Sequence, residues 1–92
     1  MNYMKREIIK TNDTIRAHDF KPCLGRGDCY VEGVVRAVVK PQSDYHYYLI
    51  ECTRDVTDGD DERVYSRVGT EIKVPIMTSN DYPGRVMNLT RI

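Results

Sequence analysis

The sequence predicts a single all-β domain, a small and strongly bent open β-barrel of about five strands. Residues 29–39 place apolar or small side chains at every odd position and a mixed set at the even ones, which is the period of a strand. Further short apolar stretches follow at close spacing between turn residues, and no segment keeps a helical period beyond one or two turns. The 92 residues are enough for one hydrophobic core but not for two, so residues 1–92 form one domain.

The strand over residues 29–39 is expected to be the centre of the fold and to bend near its middle. Gly33 lies there, and the missing Cβ lets the backbone curve sharply and approach a neighbouring strand. The odd face of this strand should be wholly core. We therefore expect one long, bent strand shared between the two halves of the barrel.

The other strands are predicted from shorter alternations of apolar and polar residues. They cover residues 14–20, 45–54, 62–68, 71–76 and 85–92. Pro75 places the fourth of these at an edge or an end of the sheet, because proline cannot donate to a ladder. Residues 1–10 are compatible with a short strand, one helical turn or a loose tail. The last strand, 85–92, has no evident partner within one subunit.

From the composition we expect neither a membrane span nor a secretory leader. No apolar run approaches the roughly 20 residues that a spanning helix needs. The first ten residues carry Lys5, Arg6 and Glu7 where a secretory signal would be apolar. A cytoplasmic protein without a membrane partner is expected.

The three cysteines, Cys23, Cys29 and Cys52, are an odd number without the spacing of a metal site. Zinc requires four closely spaced ligands, which this chain does not offer. Cys29 and Cys52 fall in apolar strand patterns and are predicted to be small buried residues. We expect reduced thiols and no metal or cofactor.

Acidic residues are concentrated between Asp55 and Glu62, where five carboxylates occur without a base. The rest of the chain then carries 14 basic and 9 acidic side chains, which would allow an anion-binding face elsewhere. A solvated acidic loop without any partner is the alternative. A calcium loop of the EF-hand type is excluded, since its alternating ligands and closing glutamate are missing.

Four aromatic rings in succession, Tyr45, His46, Tyr47 and Tyr48, form the most unusual local composition. Because side chains alternate along a strand, not all four can be buried on one face. Exposed rings beside cations are typical of proteins that stack on unpaired bases. Alternatively, Tyr47 and Tyr48 pack the end of the barrel and the other two cap it.

Catalysis is not indicated. His18 and His46 fall in different predicted strands, none of the serines lies in a nucleophile motif, and no carboxylate pair has a recognisable spacing. We expect a protein that is not an enzyme.

Two local patterns resemble the Sm-like fold, a bent five-stranded open barrel related to the SH3 shape. The sequence GVV at 33–35 followed by DYHYYLI at 44–50 looks like the Sm1 motif, in which a glycine bends the second strand and a following loop binds a base. Tyr48 stands at the position of that motif's asparagine. The sequence RVGTEIKV at 67–74 is similar to Sm2, with Val68 inserted between the arginine and the glycine.

Three longer segments, 13–20, 27–35 and 67–72, resemble small uncharacterised proteins of marine cyanophages that are understood to have an Sm-like fold. The resemblance implies a location in the host cytoplasm. It also implies a homo-oligomeric ring, formed when the strand after the acidic segment pairs with the last strand of a neighbour, and binding of RNA or single-stranded DNA.

The site residues that the Sm-like resemblance and the run of rings indicate together are Asp44, Tyr45, His46, Tyr48, Arg67 and Gly69. The rival hypothesis is a structural or adaptor protein whose barrel edges contact another protein. Convergence of Arg16, Lys40 and Arg67 with the tyrosines would favour nucleic acid, whereas scattered cations would favour the adaptor.

Overall fold

The computed structural model describes residues 8–19, 29–57, 66–79 and 81–90. It contains five strands: β1 (Thr14–His18), β2 (Tyr30–Val39), β3 (Tyr47–Val56), β4 (Glu71–Pro75) and β5 (Val86–Asn88). They form one antiparallel sheet in the order β4-β3-β2-β1-β5, so the all-β prediction is confirmed. The sheet is not closed, and β4 and β5 are its two edges. Within these residues no helix has the length and apolar character to span a membrane.

Two of the predicted strands differ from those observed. Of the strand expected over 62–68, residues 62–65 lie outside the described residues, and residues 66–68 belong to the turn before β4. These three residues do not form a strand. The backbone N–H of Arg67 donates to the side chain of Asp55 instead of to a neighbouring strand. The last strand is shorter than expected and does have a partner in its own subunit, since Val86–Asn88 pairs with β1.

The core lies on the inner face of the sheet and follows the predicted alternation as far as Val35, whereas Ala37 and Val39, also expected in the core, are only partly buried. Its buried members are Ile15, Ala17, Val31, Val35, Tyr48, Ile50, Cys52 and Val74. Cys29 and Cys52 are both buried, as predicted for small apolar residues of a strand. Cys23 lies outside the described residues.

Gly33 lies where β2 and β3 approach each other closely. A Cβ built at this position would overlap the carbonyl oxygen of Glu51 and lie 3.0 Å from Cδ1 of Ile50. The pairing of the two strands also shifts register beside Gly33 and again between Val35 and Ala37. Such bulges bend a strand and increase its twist. The glycine therefore permits the close approach at the bend that the sequence places there.

Side chains, rather than backbone pairing, connect the two edges of the sheet in the described residues. Arg85, which precedes β5, donates from Nη2 to the carbonyl oxygen of Pro75 at the end of β4, at 2.6 Å. Its side chain is buried and ion-paired with Asp81. At the other end of β4, Arg67 reaches Asp19, which follows β1, at 3.3 Å. The sheet is thus curved enough for Arg85 to connect its two edges and for Arg67 to connect the start of β4 with the end of β1.

Candidate functional site

Exposed aromatic rings meet at the beginning of β3. Tyr47 pairs with Val39 of β2 on one side and with Pro75 of β4 on the other, so this end of the sheet is three strands wide. The ring of Tyr45 contacts that of Tyr47 at 5.4 Å between centroids and an angle of 48°. Tyr45 is nevertheless 47% exposed. The pair therefore presents a flat, accessible ring on a fixed support.

Lys73 adds a cation to these rings. Its Nζ lies 5.1 Å from the centroid of the Tyr47 ring, within the roughly 6 Å over which a cation and a ring attract. Lys73 pairs with Leu49 in the ladder, two residues along from the Pro75–Tyr47 pair and therefore on the same face of the sheet. We call Tyr45, His46, Tyr47 and Lys73 the aromatic surface.

In the described part of the chain, the arginines form ion pairs with carboxylates and the lysines do not. Each described arginine is in an ion pair with a carboxylate: Arg16, Arg36, Arg54, Arg67 and Arg85. No ion pair among the described residues involves Lys10, Lys40 or Lys73. Lys40 directly follows Val39, the partner of Tyr47, so two of these lysines lie at the same end of the sheet as the rings.

A cavity of about 560 Å³ adjoins the aromatic surface. Residues 44–46 form one wall and residues 76–79 the other. The backbone N–H of Ile76 donates to the carbonyl of His46 at 2.9 Å, which fixes the walls relative to each other. Met77, at 55% exposure, adds an accessible apolar side chain. The cavity is therefore preformed and open to solvent.

Two of the sequence-predicted site residues have structural roles. Tyr48 is only 7% exposed and belongs to the core, so its ring is not accessible to a ligand. Gly69 has a φ of 86°, a conformation that side chains other than glycine rarely adopt. Its N–H donates to the carbonyl of Cys52 and anchors the turn that leads into β4.

Arg67 is engaged by carboxylates and does not adjoin Tyr45 and His46. Its Nε and backbone N–H both donate to Oδ2 of Asp55, at 2.9 and 2.8 Å, and its Nη2 donates to Oδ1 at 2.8 Å. The hydrogen bond to Asp55, followed by the interactions with Asp19, raises the pKa of Arg67 above its ordinary value. Asp55 lies near the end of β3, whereas Tyr45 and His46 precede its start, so the two regions are at opposite ends of this strand.

Arg16 is also remote from the aromatic surface. It donates to Glu32 at 2.7 Å, and its guanidinium lies 4.5 Å from the ring of Tyr30, at the other end of β2. Of the three cations expected to converge on the tyrosines, only Lys40 lies at their end of the sheet.

A second cavity, of about 570 Å³, lies between β1, β4 and the segment before β5. Arg67, Asp19 and Arg85 line it together with core residues, and it shares Thr78 and Ser79 with the first cavity. Both arginines are already ion-paired, so the first cavity offers the more available groups. Among the described residues no cluster of histidine, cysteine and carboxylate side chains is arranged to hold a metal ion.

Sequence reasoning missed Lys73 and the wall formed by residues 76–79. Alternation within β4 does place Ile72 and Val74 inward and Lys73 outward, so the exposure of this lysine could have been inferred. Its position beside Tyr47 depends on the register between β3 and β4, for which the sequence has no signal.

No protein-family model, curated protein or solved structure matches this chain. The fold and the site define only a class: a small all-β domain of five antiparallel strands with a tilted pair of tyrosine rings and a lysine at one end of its sheet.

Proposed function

We propose that this chain is a non-enzymatic Sm-like protein that binds single-stranded RNA or DNA through the aromatic surface. The observation that carries the proposal is the contact between the exposed ring of Tyr45 and the half-buried ring of Tyr47, with Lys73 against the latter. Flat rings beside a cation hold unstacked bases in many single-strand-binding proteins. Lys73 takes the phosphate-binding role that the sequence alone suggests for Arg67, because Arg67 is committed to Asp55.

The expected affinity of one subunit is low. A stacked base contributes about 1–3 kcal/mol, and this surface has room for one or two. Two phosphate contacts, to Lys73 and Lys40, would give a salt slope of about −1.4 for a single strand. One such site binds weakly, and several identical sites held in one assembly would raise the affinity for a longer strand.

A homo-oligomeric ring would supply such an assembly. The strand order leaves β4 and β5 as the two edges. The Sm-like resemblance pairs the last strand with the strand expected over 62–68 of a neighbour; since 62–65 lie outside the described residues, we assign that role to β4, the edge strand that follows. Unpaired edges favour strand addition. Since β5 has only three residues, the ladder between subunits is short, and assembly should depend on protein concentration.

Titration of labelled single-stranded RNA and DNA, followed by fluorescence anisotropy at about 50 mM and about 200 mM salt, tests the proposal. Tyr45→Ala should weaken binding by about 5- to 150-fold with little change in salt slope, since it removes a stacked ring. Lys73→Gln should reduce the slope by about 0.7. Lys10→Gln is a matched charge change outside the aromatic surface. It should neither weaken binding to this extent nor reduce the salt slope.

A wild-type protein without affinity for either strand at low salt would refute nucleic-acid binding. A second candidate function, protein contact through the barrel edges, would then take its place. It is favoured by one observation, the pairing of every described arginine with a carboxylate, which leaves few cations for phosphate. Retained self-association without nucleic-acid binding is its signature.

A further inference from the structure

The cavity beside the aromatic surface has the size and the partly apolar lining of a pocket for one flat group. Its volume, about 560 Å³, is within the roughly 300–1,000 Å³ of small-ligand pockets. Tyr45 and Met77, which line it, are both about half exposed, so a flat group could enter between a ring and a thioether. Both kinds of side chain make favourable contacts with aromatic faces.

Asp44 is the acidic member of this cavity, and its carboxylate still has acceptor capacity. The backbone N–H of Tyr45 donates to Oδ1 of Asp44 at 2.8 Å. A carboxylate has about four acceptor sites and no hydrogen to donate. Oδ2 and the second lone pair of Oδ1 can therefore accept from two adjacent donors on a ligand.

The edges of the nucleobases differ in how well they suit a carboxylate. Guanine presents two neighbouring donors, N1–H and the N2 amino group, which fit the two oxygens of one carboxylate. Adenine and cytosine place a ring-nitrogen acceptor beside their amino group, and uracil flanks its N3–H with two carbonyls. In each of these bases an acceptor would face a carboxylate oxygen. Two acceptors cannot form a hydrogen bond with each other, so this contact would weaken binding.

We infer that this cavity selects guanine: Asp44 accepts from its Watson–Crick edge while the ring stacks on Tyr45. The inference rests on the proposed function and names the base that its site prefers. The hydroxyl groups of Thr78 and Ser79 on the opposite wall can donate to the guanine O6 or N7. A carboxylate alone would repel the phosphate backbone, so affinity still depends on the ring and on Lys73.

The test uses uridine hexanucleotides that carry one central guanosine, inosine, adenosine or uridine. The guanosine oligonucleotide should bind about 5- to 150-fold more tightly than the adenosine and uridine ones, the discrimination typical of a bidentate base contact. Inosine lacks the N2 amino group, so the affinity for its oligonucleotide should lie between that for the guanosine oligonucleotide and those for the adenosine and uridine ones. Asp44→Asn should reduce the guanosine preference to near unity, because an amide has only one acceptor atom.

Glu71→Gln is the matched control, since it removes the same charge from an exposed residue of β4 outside the cavity. It should keep the guanosine preference. Equal binding of all four oligonucleotides would overturn the inference and leave the proposed function standing, whereas no binding by any of them would remove both. A guanosine preference that survives Asp44→Asn would overturn the role of Asp44.

Discussion

Replacing Arg67 with alanine should destabilise the fold rather than weaken a phosphate contact. Asp55 is fully buried, at 0% exposure, and Arg67 makes three hydrogen bonds to it. The variant keeps the backbone bond but removes both guanidinium bonds, so a buried carboxylate loses two charge-assisted hydrogen bonds and the cation that makes them. When one partner of a buried ion pair is removed, the charge that remains in the interior destabilises the fold far more than it would in an exposed pair.

The magnitude follows from the burial of the two partners. Breaking a buried pair costs about 3–5 kcal/mol, and the lower end applies because the Arg67 side chain is 35% exposed and solvent screens it. For a domain of this size, about 3 kcal/mol corresponds to a fall in melting temperature of roughly 12–24 °C. Since small domains are stable by only about 5–15 kcal/mol, the variant should fold but melt early.

Thermal unfolding by circular dichroism measures this effect, with Arg36→Ala as the matched control. Arg36 pairs with Glu51 on the surface, both about half exposed, so its loss should cost at most about 1 kcal/mol. Adding Asp55→Asn to Arg67→Ala should recover part of the loss, because it removes the buried charge that Arg67 compensates in the wild type. An Arg67→Ala protein that melts no lower than Arg36→Ala would refute the structural role of the pair.

Further predictions concern the bend, the thiols, the pH response and the assembly. Gly33→Val should lower the free energy of unfolding in urea by about 1–3 kcal/mol or more, because its Cβ overlaps the Glu51 carbonyl; an unchanged midpoint would show that the strands are not in close approach there. Cys29 and Cys52 should react with a thiol reagent only on unfolding, so rapid modification of both in native protein would contradict their burial. Because Asp55 raises the pKa of Arg67, the stabilisation by this pair is present below the ordinary arginine pKa and lost only above it. The melting difference between wild type and Arg67→Ala should therefore be the same at neutral pH and at about pH 10. Light scattering should report an oligomer at micromolar concentrations, and a monomer throughout would exclude the ring.

The sequence predicts the sheet better than it predicts the site. Period-two alternation is a local property, so β2 and the inward positions of β3 could be read directly, and Pro75 does lie at the end of an edge strand. Strand pairing is not local. The partner of β5 is β1, far away in the chain, and no pattern within residues 85–92 identifies it.

The role of Arg67 shows the same limit at the level of one side chain. Its position in an Sm2-like motif suggests a ligand contact, yet its actual partner, Asp55, belongs by sequence to an acidic cluster that looks solvated. A bulge at Thr53 shifts the alternation of β3 and turns Asp55 inward. Since one extra residue exchanges the two faces of a strand, the burial of Asp55 could not be inferred from spacing alone.

Chemical-shift mapping of the labelled protein with a single-stranded oligonucleotide tests the central claim most directly. Amide signals of residues 44–47, 73 and 76–79 should shift together with increasing ligand, because these residues form the aromatic surface and its cavity. Signals around Asp19, Asp55 and Arg67 should not shift, since Arg67 is already ion-paired with both carboxylates. Shifts centred on Arg67, or no shifts at a large excess of oligonucleotide, would contradict binding at the aromatic surface.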